Sequence, residues 1–241
     1  LNIIFKWYID LMKKSPEILE CTLRDGSYTI DFMFSSKDTF NIAKRLDELD
    51  FPFIEVGHGI GLGASKKGFG IAAASDEEYM ESAFNAVKKN KWGMFCIPGI
   101  AELEDVHKCN SFKMDFIRIG FEIGDVDKAI PFIKLARKLG IYVFCNIMKS
   151  YASTINDFFE ESEKCISNGA QCIYIVDSAG GMLPNQIRDY SLKIKEFFPD
   201  IKIGFHGHHN IGMAVANSLY CSNHGFDIID SSLQGIGRSA G

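Results

Sequence analysis

The chain has 241 residues, 46% of them hydrophobic and 24% charged, and a net charge of −5. That supplies one sizeable core, while the acidic balance and the lack of a basic run exclude a nucleic-acid surface, and no apolar segment is long enough to span a membrane. The seven cysteines (Cys21, Cys96, Cys109, Cys145, Cys165, Cys172, Cys221) are odd in number and form no C-x-x-C. They read as free thiols in a reducing cytoplasm rather than as a disulfide framework.

The first residues, LNIIFKWYIDLMKKSPE, are interrupted by Lys6 and Asp10 and lack a small-residue cleavage site, so they do not read as a signal peptide. Residues 1–15 are expected to be peripheral, with Met12 a plausible native start, and 16–241 to form one domain. From there β-like runs alternate with amphipathic helical patterns about every thirty residues, the size of a βα unit. The strand windows are ILECTLR, FPFIEVG, GMFCIPG, DFIRIGF, YVFCNIM, CIYIVDS, IKIGFHGH and DIIDSSL. Helical stretches such as KDTFNIAKRLDEL, VDKAIPFIKLARKLG and TINDFFEESEKCISNG lie between them. Ser75 with Glu78 has the form of a capping box, Pro184 suits a first helical position, and Gly140, Gly169 and Gly225 suit helix ends.

Eight strands in strict alternation predict a parallel (β/α)₈ TIM barrel. The rival is a doubly wound open sheet, suggested by G-x-G-x-x-A over 59–64. A helix should open there, yet SKKGFG continues the loop to about Ser75. The chain stops after the eighth strand, so the eighth helix is expected to be missing and the natural protein to be longer.

Barrel enzymes gather their chemistry at the C-terminal ends of the strands. Those ends carry Arg24 and Asp25, Glu55 and His58, Arg118, Asn146 and Lys149, Asp177 and Ser178, His206 and His208, Asp230 and Ser232. Along IKIGFHGHHN, period two puts Ile201, Ile203 and Phe205 on the outer face, and Lys202, Gly204, His206 and His208 on the inner one. Two imidazoles at i and i+2 can chelate one divalent ion, with a carboxylate as the third ligand. Asp25 leads for that place; Asp177 is the alternative. His209 faces away, toward hydrogen bonding at the helix entrance, with Asn210 a candidate cap.

TLRDG at 22–26, H-x-H at 206–208 and DSSLQGIGRSAG at 230–241 resemble the metal-dependent HMGL-like aldolase/lyase barrels, which include hydroxymethylglutaryl-CoA lyase, isopropylmalate synthase and pyruvate carboxyltransferase-type domains. IEVGHGIGLGASKKGFG (54–70), GFHGHHNIGMAVANS (204–218), PGI (98–100) and VDSAGGM (176–182) are more similar to the 4-hydroxy-2-oxovalerate aldolases. The resemblance implies a class II pyruvate aldolase that cleaves a 4-hydroxy-2-oxoacid to pyruvate and an aldehyde. Asp25, His206 and His208 would hold the metal, Mn²⁺ first, with Mg²⁺, Co²⁺ or Zn²⁺ as alternatives. Arg24 would stabilise the pyruvate enolate, and Ser178 would lie near the substrate carboxylate.

These aldolases place an acid/base histidine three residues after the metal aspartate, where this chain has Tyr28. A phenol is a poor base at neutral pH, so Tyr28 is expected to act as an acid, orient a water or line the pocket. His58 is a candidate substrate-binding residue or substitute base, and equally a residue that orders its loop. The resemblance implies a further helical domain, expected to be missing here, that supplies an active-site tyrosine and contacts an acylating aldehyde dehydrogenase; the full-length protein is expected to be a homo- or hetero-oligomer. The alternatives are an acyl-CoA lyase or synthase of the same superfamily and a non-catalytic barrel. Lys149 could form a Schiff base, though a solvated lysine is the simpler reading. The glycine-rich loop 57–70, with Lys66 and Lys67, could clasp a phosphate or CoA, though a mobile lid is the simpler reading.

Overall fold

The computed structural model describes residues 15–241. All but the last residue of the peripheral N-terminal segment therefore lies outside the described residues. Eight strands form a closed, all-parallel barrel in the order β1 to β8, and the β1–β8 pairing completes the circle. They are β1 (Glu17–Glu20), β2 (Phe53–Val56), β3 (Lys91–Cys96) and β4 (Phe116–Glu122), then β5 (Tyr142–Met148), β6 (Cys172–Asp177), β7 (Lys202–Gly207) and β8 (Ile228–Ser231).

The intervening helices are α1 (Ser36–Glu48), α2 (Asp76–Ala86), α3 (Leu103–Ser111), α4 (Val126–Lys138), α5 (Ile155–Ser167), α6 (Pro184–Phe197) and α7 (Ala214–Ser222). Every strand window yields a strand, so the barrel expectation holds and the open sheet is excluded. The capping box at Ser75 and Glu78 starts α2, and Pro184 opens α6 at its first helical position. Gly140, Gly169 and Gly225 take left-handed backbone just past α4, α5 and α7, where a Cβ would be strained. None of the described helices is long and apolar enough to cross a membrane. All seven cysteines are buried free thiols.

The two faces of each strand account for the layers. Outward residues such as Ile54, Ile117, Ile119, Val143, Ile173, Ile175, Ile203 and Phe205 pack beneath the helices. Each such side chain contributes about 1.5–3 kcal/mol when fully buried. Inward residues step from apolar to polar along the same face: Phe53 to Glu55, Phe116 to Arg118, Phe144 to Asn146, and Ile228 to Asp230. The apolar members fill the barrel interior, with the Phe53, Phe116 and Phe144 rings 5.1–5.5 Å apart. The polar members two residues later form a second layer, nearer the C-terminal strand ends. Gly204 leaves room on the same face for the Tyr174 ring, which any Cβ there would strike.

The G-x-G-x-x-A stretch is a loop after β2 and opens no helix. Gly61 has φ +113°, and a Cβ on it would come 2.5 Å from the Phe95 carbonyl oxygen. Backbone can yield to neither demand, so Gly61→Ala is expected to lower unfolding stability by more than about 1 kcal/mol. Denaturant unfolding measures this, and an unchanged midpoint would refute it.

Candidate metal centre

The polar layer converges at the barrel mouth around His206 and His208. His206 is the fifth residue of β7; His208 follows just past the strand end, and their Nε2 atoms lie 3.4 Å apart. Asp25 reaches the same point from the 3₁₀ turn Asp25–Ile30 that follows β1. One donor atom from each of Asp25, His206 and His208 falls within 4.8 Å of the others, and all three residues are buried.

Burial alone would raise the Asp25 carboxyl. Arg24, with smaller contributions from His206 and His208, holds it below the usual carboxylate range. Burial, reinforced by His206, pushes the His208 imidazole down to about 4, which leaves it neutral at pH 7. One carboxylate and two imidazoles, one of them neutral without any metal, suit a divalent ion with open positions. Cys21, His206 and Asp230 form a second compact group. It suits a metal less well: burial keeps the Cys21 thiol protonated, its Sγ donates to the Ser231 carbonyl, and Asp230 is engaged by Arg118.

Arg24 is held on two sides. Its Nη1 lies 2.7 Å from Asp25 Oδ1, its Nε lies 2.9 Å from Glu55 Oε2, and its guanidinium stands 4.9 Å over the Phe95 ring. The side chain therefore has few rotamers left and presents a fixed donor beside the expected ligands. These groups open onto a cavity of about 120 Å³ that Tyr28, Ser178, Lys149 and Arg238 also line.

Tyr28 sits half-buried on the turn after Asp25, and burial raises its phenol above the usual value. At neutral pH it is an O–H donor and not a base. Ser178 follows β6, where its Oγ accepts from the Lys149 amide at 3.0 Å. Lys149 Nζ is paired with Glu122 at 2.5 Å and partly exposed, a poor setting for a Schiff-base nucleophile. Lys67 pairs with Glu102 at 2.7 Å and Lys66 with Glu77 at 3.7 Å, all four side chains exposed.

The structure favours one of the two readings of His58 and corrects that of Asn210. His58 does not line the cavity: its Nδ1 accepts from the Ile60 amide, its Nε2 lies 3.3 Å from the Gly70 carbonyl, and its ring stacks on Phe32 at 4.0 Å. Both nitrogens contact the loop after β2, which agrees with the loop-ordering alternative. Asn210 does not cap the following helix, because α7 starts later, with Met213 at its N-cap. His209 is exposed, and its amide donates to the Gly241 carbonyl. Asp177 is spent on the loop before α6, accepting from the Gly181 and Met182 amides.

Arg238 is a cavity residue that the strand-end reading passed over. It lies beyond the eighth strand, within the quoted motif DSSLQGIGRSAG, and its Nη2 donates to the Ser178 carbonyl at 3.0 Å.

The HMGL-like family model matches residues 15–241. The chain belongs to the HMGL-like family. Curated relatives agree. An oxaloacetate decarboxylase of Mycobacterium tuberculosis is 34% identical over 95% of this chain and 67% of its own length. A 4-hydroxy-2-oxovalerate aldolase of Geobacillus stearothermophilus is 33% identical over the same shares. The chain thus spans about two thirds of the length of these relatives. A solved structure of the carboxyl transferase domain of Rhizobium etli pyruvate carboxylase matches 96% of this chain and 42% of its own. Its TM-score is 0.80 at 15% identity, a likeness of fold alone. As an HMGL-like member with such relatives, the chain is a carbon–carbon lyase.

Proposed function

We propose that this HMGL-like barrel is a class II pyruvate aldolase that cleaves a 4-hydroxy-2-oxoacid, such as 4-hydroxy-2-oxovalerate, to pyruvate and an aldehyde. The observation that carries this reading is the convergence of the His206 and His208 Nε2 atoms, 3.4 Å apart, with Asp25 beside the doubly anchored Arg24. Asp25, His206 and His208 would hold a divalent metal, Mn²⁺ by preference. When bound, it supplies a Lewis acid for the 2-oxo group.

The rest falls to the chain's own residues. The substrate's 4-hydroxyl passes its proton to solvent water as the C3–C4 bond breaks, the C4 oxygen becomes the aldehyde carbonyl, and the electron pair of the broken bond moves into the C2–C3 bond. Arg24 faces the negative charge that then develops on the C2 oxygen. Ser178 and Arg238, joined by the bond from Arg238 Nη2 to the Ser178 carbonyl, both line the cavity and would receive the substrate carboxylate. Tyr28 keeps its proton and can deliver it, directly or through water, to C3 of the resulting enolate. Cytoplasmic location, on the free cysteines, and an acylating aldehyde dehydrogenase as receiver of the aldehyde, on the sequence resemblance, belong to the same proposal.

Tyr28 also favours a second reading. Among the described residues, the only imidazoles lining the cavity are the two expected ligands, and burial pushes the phenol above its usual value. Decarboxylation of oxaloacetate needs no base: CO₂ departs with cleavage of the C3–C4 bond, the electron pair takes the same route, and C3 then accepts a proton. The relative named oxaloacetate decarboxylase fits that alternative.

The test is pyruvate release from 4-hydroxy-2-oxovalerate and from oxaloacetate, with Mn²⁺ and with EDTA. EDTA-sensitive release from the hydroxy acid is expected, and its absence sinks the aldolase reading. Tyr28→His should raise the ratio of aldol cleavage to decarboxylation by about tenfold or more, since a positioned base contributes about 10²–10⁴. An unchanged ratio removes Tyr28 from the argument.

A further inference from the structure

Directly above the aromatic layer of the barrel lies a chain of buried charges whose middle members, Glu55, Arg118 and Asp230, take no direct part in the proposed reaction. Arg118 is fully buried in the third position of β4. Its Nη1 lies 2.9 Å from Glu55 Oε2 and its Nη2 lies 2.5 Å from Asp230 Oδ2; its guanidinium stands 4.5 Å over the Tyr174 ring.

Each carboxylate spends one oxygen twice. Glu55 Oε2 accepts from Arg118 and from Arg24 Nε, 2.9 Å away in both cases. Asp230 Oδ2 meets Arg118 and also His206 Nδ1, at 2.6 Å. The order is therefore Arg24, Glu55, Arg118, Asp230, His206, drawn from five different strands or strand ends. Burying such charges only to fill a barrel is a poor bargain, because apolar side chains of similar volume stabilise as well or better. The two ends of the chain explain its presence: one is the donor beside the cavity, the other is an expected metal ligand.

We propose that Asp230 and Arg118 are positioning residues for the metal centre, with Asp230 fixing His206 in the tautomer that carries its proton on Nδ1. A neutral imidazole has one proton for two nitrogens, and a carboxylate accepting at Nδ1 leaves the Nε2 lone pair directed at the site. Arg118 holds that carboxylate in place and, through Glu55, sets the orientation of Arg24 from the same buried point. The assignment rests on the metal reading of Asp25, His206 and His208.

Two measurements on the whole chain test it. Long-range ¹H–¹⁵N spectra of the imidazoles, with His206 identified by comparison with His206→Asn, should show Nδ1–H in the metal-free wild-type protein. An Nε2–H tautomer overturns the proposal without any need for a folded Asp230 variant. Titration with Mn²⁺ alone gives the second readout. Asp230→Asn should weaken Mn²⁺ binding by about 10- to 100-fold, and Arg118→Lys should shift it in the same direction, with far-UV circular dichroism unchanged. A folded Asp230→Asn protein with wild-type Mn²⁺ affinity shows a merely structural role and overturns the proposal alone. Absence of Mn²⁺ binding by the wild-type chain overturns it together with the metal reading.

Discussion

Replacing His208 with alanine is expected to reduce pyruvate release by about 10³-fold, since loss of a Lewis acid forfeits several kcal/mol of transition-state stabilisation and each 1.36 kcal/mol is tenfold. His208 is the informative ligand to remove because it stands outside the chain of charges through Asp230. Its Nε2 faces His206, and its amide is held independently by the Asp177 carbonyl. The backbone of the barrel mouth should therefore survive. The same variant should lose Mn²⁺ binding by titration while keeping its thermal midpoint. Cys21→Ser is the control: it removes a member of the competing group Cys21, His206, Asp230 and should leave Mn²⁺ affinity within about threefold, a difference below 1 kcal/mol. If Cys21→Ser abolishes binding and His208→Ala does not, the metal has been assigned to the wrong group.

Arg24→Lys carries the second large effect. Lysine keeps the charge but not the planar fork, so it cannot hold Glu55 through Nε and Asp25 through Nη1 simultaneously. Loss of one preorganised donor to a developing oxyanion reduces kcat by about 10²–10³-fold, with a smaller change in KM because the 2-oxo oxygen of bound substrate carries less charge. The buried Glu55 carboxylate also loses a partner, which destabilises the fold by about 1.5–3 kcal/mol for a charge-assisted bond. Steady-state kinetics and thermal unfolding on one preparation separate the two effects. A variant with kcat within about threefold of wild type would exclude Arg24 from oxyanion stabilisation.

Much of the site was legible in the chain because strand alternation is strict. Reading IKIGFHGHHN with period two separates Ile203 and Phe205, which pack under the helices, from Gly204 and His206, which face inward. The same rule makes Glu55, Arg118, Asn146 and Asp230 inward polar residues two places after an inward apolar one. What period two could not supply was partnership. Arg118 and Asp230 are 112 residues apart, and Arg24 and Glu55 are 31 apart. No local pattern distinguishes such a pair from two polar residues that each meet water. His58 shows the opposite limit, since sequence left its substrate-binding and loop-ordering readings equal. A histidine at a strand end resembles a site residue in sequence, but its loop folds back so that Gly70 and Ile60 occupy both nitrogens.

By itself, the sequence determined the class of fold, the direction each strand residue faces and the histidine pair, because these follow from local periodicity and spacing. Only the tertiary structure decided which inward groups meet. Barrel closure through β1 and β8 brings Asp230 beside the first strand, and the stagger of the strands places Arg118 between two carboxylates. Contacts of that kind depend on the register of strands far apart in the chain, which side-chain alternation along any one strand does not encode.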